Sequence, residues 1–409
     1  MKWYSVAAIL TSAVLVGGFT TIAGGPAAGD VPPHGPTTLY VAPTTGRYAL
    51  SIRCQRAAYT DINAAIEAAV AGDTVVVCPG TYTGSVSIAT SSVTQPTITT
   101  GAEINKSIDL VGMDGAVIDA TGLDNGITIY DASNARLTGF TITGAFGEGV
   151  FAMVSTGITI RGNLVKSNDV GSASSGYAEC DTSAGLLSDC GFGVHLLSVT
   201  DSKVLDITVE SNSGGILLTD EYGPTYGNSV SGNLVEDNKT YSGIKLSGHI
   251  GTALNALGAR TTIMGGVYDN TISNNVIVSN GTAGDGGGIL LTAEVRGGGS
   301  YDNLVTGNVI DSNGLGGVTI RKLYGLSDVS GNVIAKNRIG DNNIVGDPED
   351  GLTTGVLVGR DSPLFPPVSV TVCDNTIAFD HFGIFDNAGA SSLTRFGNQY
   401  KKVVVPVRA

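Results

Sequence analysis

A short unit recurs along most of this chain: glycine, then Ile or Val, then any residue, then another apolar residue. It occurs at Gly126, Gly149, Gly193, Gly215, Gly243, Gly288, Gly317 and Gly355, with a weaker copy at Gly383. The intervals are 23, 44, 22, 28, 45, 29, 38 and 28 residues. Most fit a base period of about 22–29, and the long ones read as coils carrying insertions or as doubled coils. A second unit is Asn, two apolar residues, two further residues, then Asn. It stands at Asn163–Asn168, Asn233–Asn238, Asn275–Asn280, Asn308–Asn313 and Asn332–Asn337. Repeats of this period cannot bury their apolar faces singly, so they stack into a solenoid.

The period-2 rule for strands assigns faces within each coil. With glycine as position zero, positions +1 and +3 are apolar in nearly every copy and point into a lumen. Position +2 is then expected to face solvent on one long sheet. That column reads Thr128, Phe151, His195, Leu217, Lys245, Leu290, Thr319, Leu357 and Phe385. Gly and Asn are expected at the corners, where φ > 0 or a side-chain bond to backbone is needed. Stacked Asn can form ladders at the strand spacing of about 4.8 Å. The composition agrees: 59 glycines in 409 residues and only 6% aromatics suit a narrow aliphatic lumen. A hydrophobic content of 42% excludes disorder, and the lack of a strict Gly-X-Y period excludes collagen. Residues 105–395 should make about ten coils, a single all-β domain with about 48 Å of rise.

Ahead of the repeat lies YTDINAAIEAAVAGDTVVVCPGTY, residues 59–82. Asp61 is an N-cap, Ile62, Ala65, Ile66 and Ala69 mark one helical face, and Gly72 is expected to end the helix. Strands are expected at Thr38–Ala42 and Thr74–Cys78. This cassette, followed by LVGMDGAVIDA in residues 107–120, resembles the N-terminal cap and first coil of the right-handed parallel β-helix, or pectate-lyase-like, superfamily. The resemblance covers roughly residues 38–395. It implies an amphipathic helix plugging one end of the solenoid, and secreted proteins that cleave or epimerise acidic polysaccharides. Subfamily signatures are missing: there is no Asp-Pro-His segment as in alginate epimerases. SGHI at 247–250 only partly echoes the Gly-His-Gly of polygalacturonases.

Lys2, an apolar run from Tyr4 to Phe19 and small residues from Ala23 to Gly29 read as an export signal over 1–28. A Pro-containing linker follows over 29–37. The cap and first strands span 38–104, the coils 105–395, and a C-terminal tail or cap 396–409. A secreted, cell-surface or periplasmic location is expected, with no membrane contact beyond the signal. Five cysteines fit an exported chain. Cys54 with Cys78, and Cys180 with Cys190, are the expected disulfides, and Cys373 is left as a buried thiol. A net charge of −14 argues against nucleic acid as a partner.

On a solenoid, function sits where the repeat is decorated. The turn after the Gly-unit strand is long in five coils: residues 220–227, 248–266, 293–300, 322–327 and 360–367. If these coils stack, the turns form a wall beside the exposed sheet, opposite a second insertion over 169–191. Such a groove suits a linear polysaccharide. Arg296, Arg321, Lys322, Tyr222 and Tyr226 are expected to contact it, the tyrosines as flat surfaces for sugar rings.

Lys245 stands between Leu217 and Leu290 in its column. Desolvation there would make it a base at a uronate C5, or a partner for the substrate's charge. His195, two Gly units earlier, and His249, four residues later, are candidate second acids or bases. That chemistry leads to β-elimination or epimerisation. The competing chemistry is inverting hydrolysis by Glu221 and Glu294, both at position +6 on coils two apart, about 9.6 Å along the stack. No cofactor is required by the sequence, though calcium at Asp220, with the nearby Glu221 and Glu294, is open. A non-catalytic glycan-binding solenoid is the third alternative.

Overall fold

The computed structural model describes residues 35–44, 51–89, 97–168, 191–249, 265–284, 286–346, 351–387 and 391–408. The signal segment, Cys180, Cys190, most of the 169–191 insertion and Arg260 lie outside the described residues. Contacts divide the chain into Met1–Gly35 and Pro36–Ala409, and the second unit holds the whole solenoid.

Three sheets of 12, 11 and 12 strands run the length of this unit. All neighbours pair in parallel except Val86–Ala89 with Thr97–Ile104. One row of the Gly-unit sheet shows that the coils are consecutive: Ile127, Val150, Val194, Ile216, Ile244, Ile289, Val318, Val356 and Ile384 pair in register. The 44-, 45- and 38-residue intervals are therefore single coils with insertions. Every residue of that row is fully buried, and it joins one aliphatic core with little aromatic content. The solenoid is deeper than about ten coils because strands on either side of 105–395, from Thr38–Val41 to Val405–Arg408, also join the stack.

The Gly column has a different cause from the expected one. None of these glycines from Gly126 to Gly383 has a positive φ. A Cβ on Gly243 would come within 2.5 Å of Ile277 Cγ2, and one on Gly317 within 2.6 Å of Ile339 Cγ2. A lumen side chain of the adjoining coil fills that space, so glycine is required for room. Positive φ falls instead on the residue before each ladder Asn, such as Ser279 before Asn280 and Asp237 before Asn238.

The ladders form, and the described residues hold three of them. Asn233, Asn275, Asn308, Asn337, Asn375 and Asn398 pass side-chain hydrogen bonds of 2.8–3.0 Å from coil to coil. Asn168, Asn212, Asn238, Asn280, Asn313 and Asn342 form the second, ending on Asp380. The third, Asn228–Asn270–Asn303–Asn332, marks a corner that the Asn unit alone does not reveal. Rungs such as Asn275 and Asn308 also donate to a backbone carbonyl, which satisfies buried corner groups that no strand reaches.

The capping helix spans Ile62–Ala68, and Asp61 accepts from the Ala64 amide at 2.8 Å. It ends before Gly72, because Ala69 is already extended and Asp73 accepts from the Val70 amide. Its face Ile62, Ala65 and Ile66 enters the core. Cys54 and Cys78 are joined, with Cα atoms 5.8 Å apart, and Cys373 is a buried free thiol. No described helix is long and apolar enough to cross a membrane.

Candidate functional site

The +2 column points away from the lumen but is not open to solvent: Thr128, Phe151, His195, Leu217, Lys245, Thr319, Leu357 and Phe385 are all buried. The outer face builds clusters of its own. Phe151, Met153, Leu197 and Ile98 pack together at one end, and Leu357, Phe382 and Phe385 at the other. Between them the face turns polar.

Strand alternation continues the outward face through +4, and the +6 residues follow past the strand ends at Thr219, Gly248 and Ala293. Three consecutive coils thus present Leu217, Thr219 and Glu221; Lys245, Ser247 and His249; and Leu290, Thr292 and Glu294. The Lys245 ammonium lies 2.6 Å from Glu294 Oε1, and both side chains are largely buried. His249 sits between the two glutamates. Its Nδ1 is 2.5 Å from Glu221 Oε1, and its Nε2 is 2.9 Å from Ser247 Oγ and 3.7 Å from Glu294 Oε2.

Burial pushes the Glu221 carboxyl up. The charge and hydrogen bond of His249 outweigh this, with help from His195 and Thr219, and hold it below the ordinary value. An ionised Glu221 accepts the Nδ1 proton, so Nε2, beside Ser247 Oγ, is the nitrogen at which the ring gains or loses its second proton. The cluster can therefore take a proton at one defined atom and return one. His195 joins from two coils away, its Nε2 2.8 Å from Thr219 Oγ1 and its Nδ1 3.5 Å from Glu148 Oε1.

Asp220 has a different role from metal binding. Its Oδ1 accepts the His249 amide at 2.5 Å and its Oδ2 the Gly266 amide. With both oxygens given to backbone and both glutamates facing nitrogen donors, these residues do not fit a calcium ion, which needs converging oxygens. Among the described residues no group of three or more His, Cys, Asp or Glu is arranged to hold a metal.

A pocket of about 130 Å³ adjoins the cluster, lined by Leu290, Thr292, Glu294, Thr319, Arg321 and Leu323. Arg321 Nε lies 3.2 Å from Asp361 Oδ1. Arg296 is exposed on the turn after Glu294, and Tyr222 is exposed beside Glu221. Lys322 is buried, in register with Ala293 and Arg360 at position +5, the parity opposite to that of Arg321. Tyr226 lies apart from the groove, in a separate three-stranded sheet, where it stacks with Tyr268 at 5.2 Å and through it with Tyr301. One of its faces is taken by the Tyr268 ring. Sequence reasoning missed Glu148, Thr219 and Ser247. Carrying the alternation to +4 would have found the last two.

The model for the right-handed β-helix region matches residues 125–322. The chain has the right-handed parallel β-helix fold. Among solved structures, this β-helix is similar to the A-module of the Azotobacter vinelandii mannuronan C-5 epimerase AlgE4, with a TM-score of 0.54 and 17% identity, covering 85% of this chain and 92% of that one. It is also similar to a hyperthermoactive exopolygalacturonase from Thermotoga maritima, with a TM-score of 0.52 and 11% identity, over 81% and 80%. An alginate lyase from Paenibacillus sp. str. FPU-7 has a TM-score of 0.50 and 12% identity, over 91% and 98%. At such identities the likeness is one of fold. No curated protein matches the sequence.

Proposed function

We propose that this β-helix is an exported protein that binds an acidic polysaccharide along the outer face of its Gly-unit sheet. It moves a proton at a uronate C5, as a lyase or an epimerase. The observation that carries the reading is the placement of His249: Glu221 holds Nδ1, and Nε2 is left basic in a largely water-excluded face. Such a dyad suits general base catalysis, with Glu221 stabilising the imidazolium once the proton is taken. Lys245 is held by Glu294 at 2.6 Å, a contact that favours its charged form, so its role is that of a charge partner rather than the base. Arg321, lining the adjoining pocket, is placed to face a substrate carboxylate as the enolate forms. In elimination the protonated imidazole would pass its proton to the departing O4 oxygen, and in epimerisation the Lys245–Glu294 pair would give one to the opposite face of C5. The fold is shared with a C-5 epimerase and an alginate lyase, which supports the substrate class.

Inverting hydrolysis by Glu221 and Glu294 needs a water held between the carboxylates. Here an imidazole fills that space. Mixing the protein with a panel of uronate polymers tests the reading. Elimination gives an unsaturated, ultraviolet-absorbing uronate, and epimerisation gives an inverted C5 by NMR. New reducing ends with neither signal would mean hydrolysis, and a panel bound but unchanged would mean a glycan-binding solenoid.

A further inference from the structure

The outer face of the Gly-unit sheet has a charge direction. Its +2 column starts on Glu103, which pairs in register with Thr128, and ends on Arg408, which pairs with Phe385. Lys245 lies between them, and Arg321 lines the adjoining pocket. From Lys245 the column runs through Leu290, Thr319, Leu357 and Phe385 to Arg408. Those five steps cover about 24 Å at the strand spacing. The last coil adds to the field: residues 391–408 hold Arg395, Lys401, Lys402 and Arg408 and no Asp or Glu, in a chain of net charge −14.

Arg408 is held in place by two rings. Its guanidinium carbon lies 4.6 Å from the centroid of Phe385 and 5.0 Å from that of Phe382. The residue is exposed, and among the described residues its guanidinium makes no ion pair. Stacking over aromatic rings uses the flat face of a guanidinium and leaves its N–H fork for a carboxylate. Covering the rings does not itself call for a cation. Phe382 and Phe385 join Leu357 in an apolar cluster, and its counterpart at the other end of the sheet packs Phe151 with Ile98, Met153 and Leu197, all apolar.

We propose that Arg408 is a distal subsite that grips a uronate carboxylate, so that a bound acidic polysaccharide runs from the His249 cluster toward the C-terminal end of the sheet. The proposal rests on reading the outer face as a polysaccharide site. A uronate polymer carries a carboxylate on each sugar, and a guanidinium fork matches that group with two parallel hydrogen bonds. A second grip on the same polymer is intramolecular, so it strengthens binding only for chains long enough to reach it. Extension the other way meets Glu103, whose charge repels the polymer.

The test is calorimetric binding of oligogalacturonates and oligomannuronates of graded length to the full chain, on a His249→Ala background that removes turnover. Affinity should rise once an oligomer spans about 24 Å. Arg408→Met, which keeps an unbranched chain over the rings, should abolish that rise, a loss of about threefold to fivefold, while short oligomers bind both proteins alike. Arg408→Lys, which keeps the charge without the fork, should restore part of it. Equal long-oligomer affinity with and without Arg408→Met, or an equal loss at every length, overturns the proposal. Should Arg408→Met lower the unfolding midpoint, Arg408→Gln decides by the same comparison. If no oligomer of either series binds, the polysaccharide reading has failed and the subsite falls with it. If long oligomers bind but ignore Arg408, the subsite alone has failed.

Discussion

Glu221 and His249 are 28 residues apart in sequence and 2.5 Å apart in space. Both occupy position +6 of neighbouring coils, just past the strands Gly214–Thr219 and Ile244–Gly248. His249→Ala should lower kcat/KM on the responsive polymer by about 10²–10⁴-fold, the range for removing a general base. Glu221→Gln should lower kcat as well, because an amide can present its N–H to Nδ1 and reverse the tautomer. Steady-state kinetics on the two variants, with folding checked by circular dichroism, decides this.

Lys245 and Glu294 should show the asymmetry of a buried pair. Lys245→Met alone leaves a largely buried carboxylate uncompensated and should cost about 3–5 kcal/mol in urea unfolding. Lys245→Met with Glu294→Gln should recover much of that stability while turnover stays low. Recovery of both would make the pair structural only.

The Asn ladders carry the corners. Asn275 Oδ1 accepts from Asn233, and its Nδ2 donates to Val230 O and Asn308 Oδ1. Asn275→Ala strands several buried groups at about 1–3 kcal/mol each, so a loss of roughly 3 kcal/mol or more is expected in denaturant unfolding. A loss under about 1 kcal/mol would mean that water replaces the rung.

Asp380 closes one ladder where the other rungs are Asn. Its Oδ1 accepts the Asn342 amide at 2.9 Å, while Oδ2 is buried without a hydrogen-bond partner. Burial first, then Asp341 and Asp311, raise its carboxyl from 3.8 to about 7 against the pull of the Asn342 amide. A folded-state value above the unfolded one stabilises the fold below pH 3.8, and that contribution is lost as pH rises toward 7. The loss is at most about 4 kcal/mol. Asp380→Asn should flatten that decline and be the more stable protein above pH 7. Unfolding midpoints measured from pH 4 to 8 check the sign.

Much of the architecture was legible because lumen positions repeat with a fixed period: Ile127 through Ile384 form one register row, as the Gly unit implied. Other features were not. A glycine needed for space at Gly243 looks the same in sequence as one needed for φ > 0. The outward +2 column was read as open because its cover comes from neighbouring coils: Ile98 and Leu197 pack with Phe151 only once the coils stack. Lys245 and Glu294 were both named, but their ion pair depends on register and on side chains bending across the strands. Glu148 precedes its Gly unit, so no column flags it.

The central claim is proton transfer at C5 through His249. The most direct measurement is NMR in heavy water of the uronate polymer that responds. Wild-type protein should place deuterium at C5 or form the unsaturated uronate, and His249→Ala should do neither. Chain cleavage with C5 undeuterated and saturated, or undiminished exchange in His249→Ala, would contradict the account.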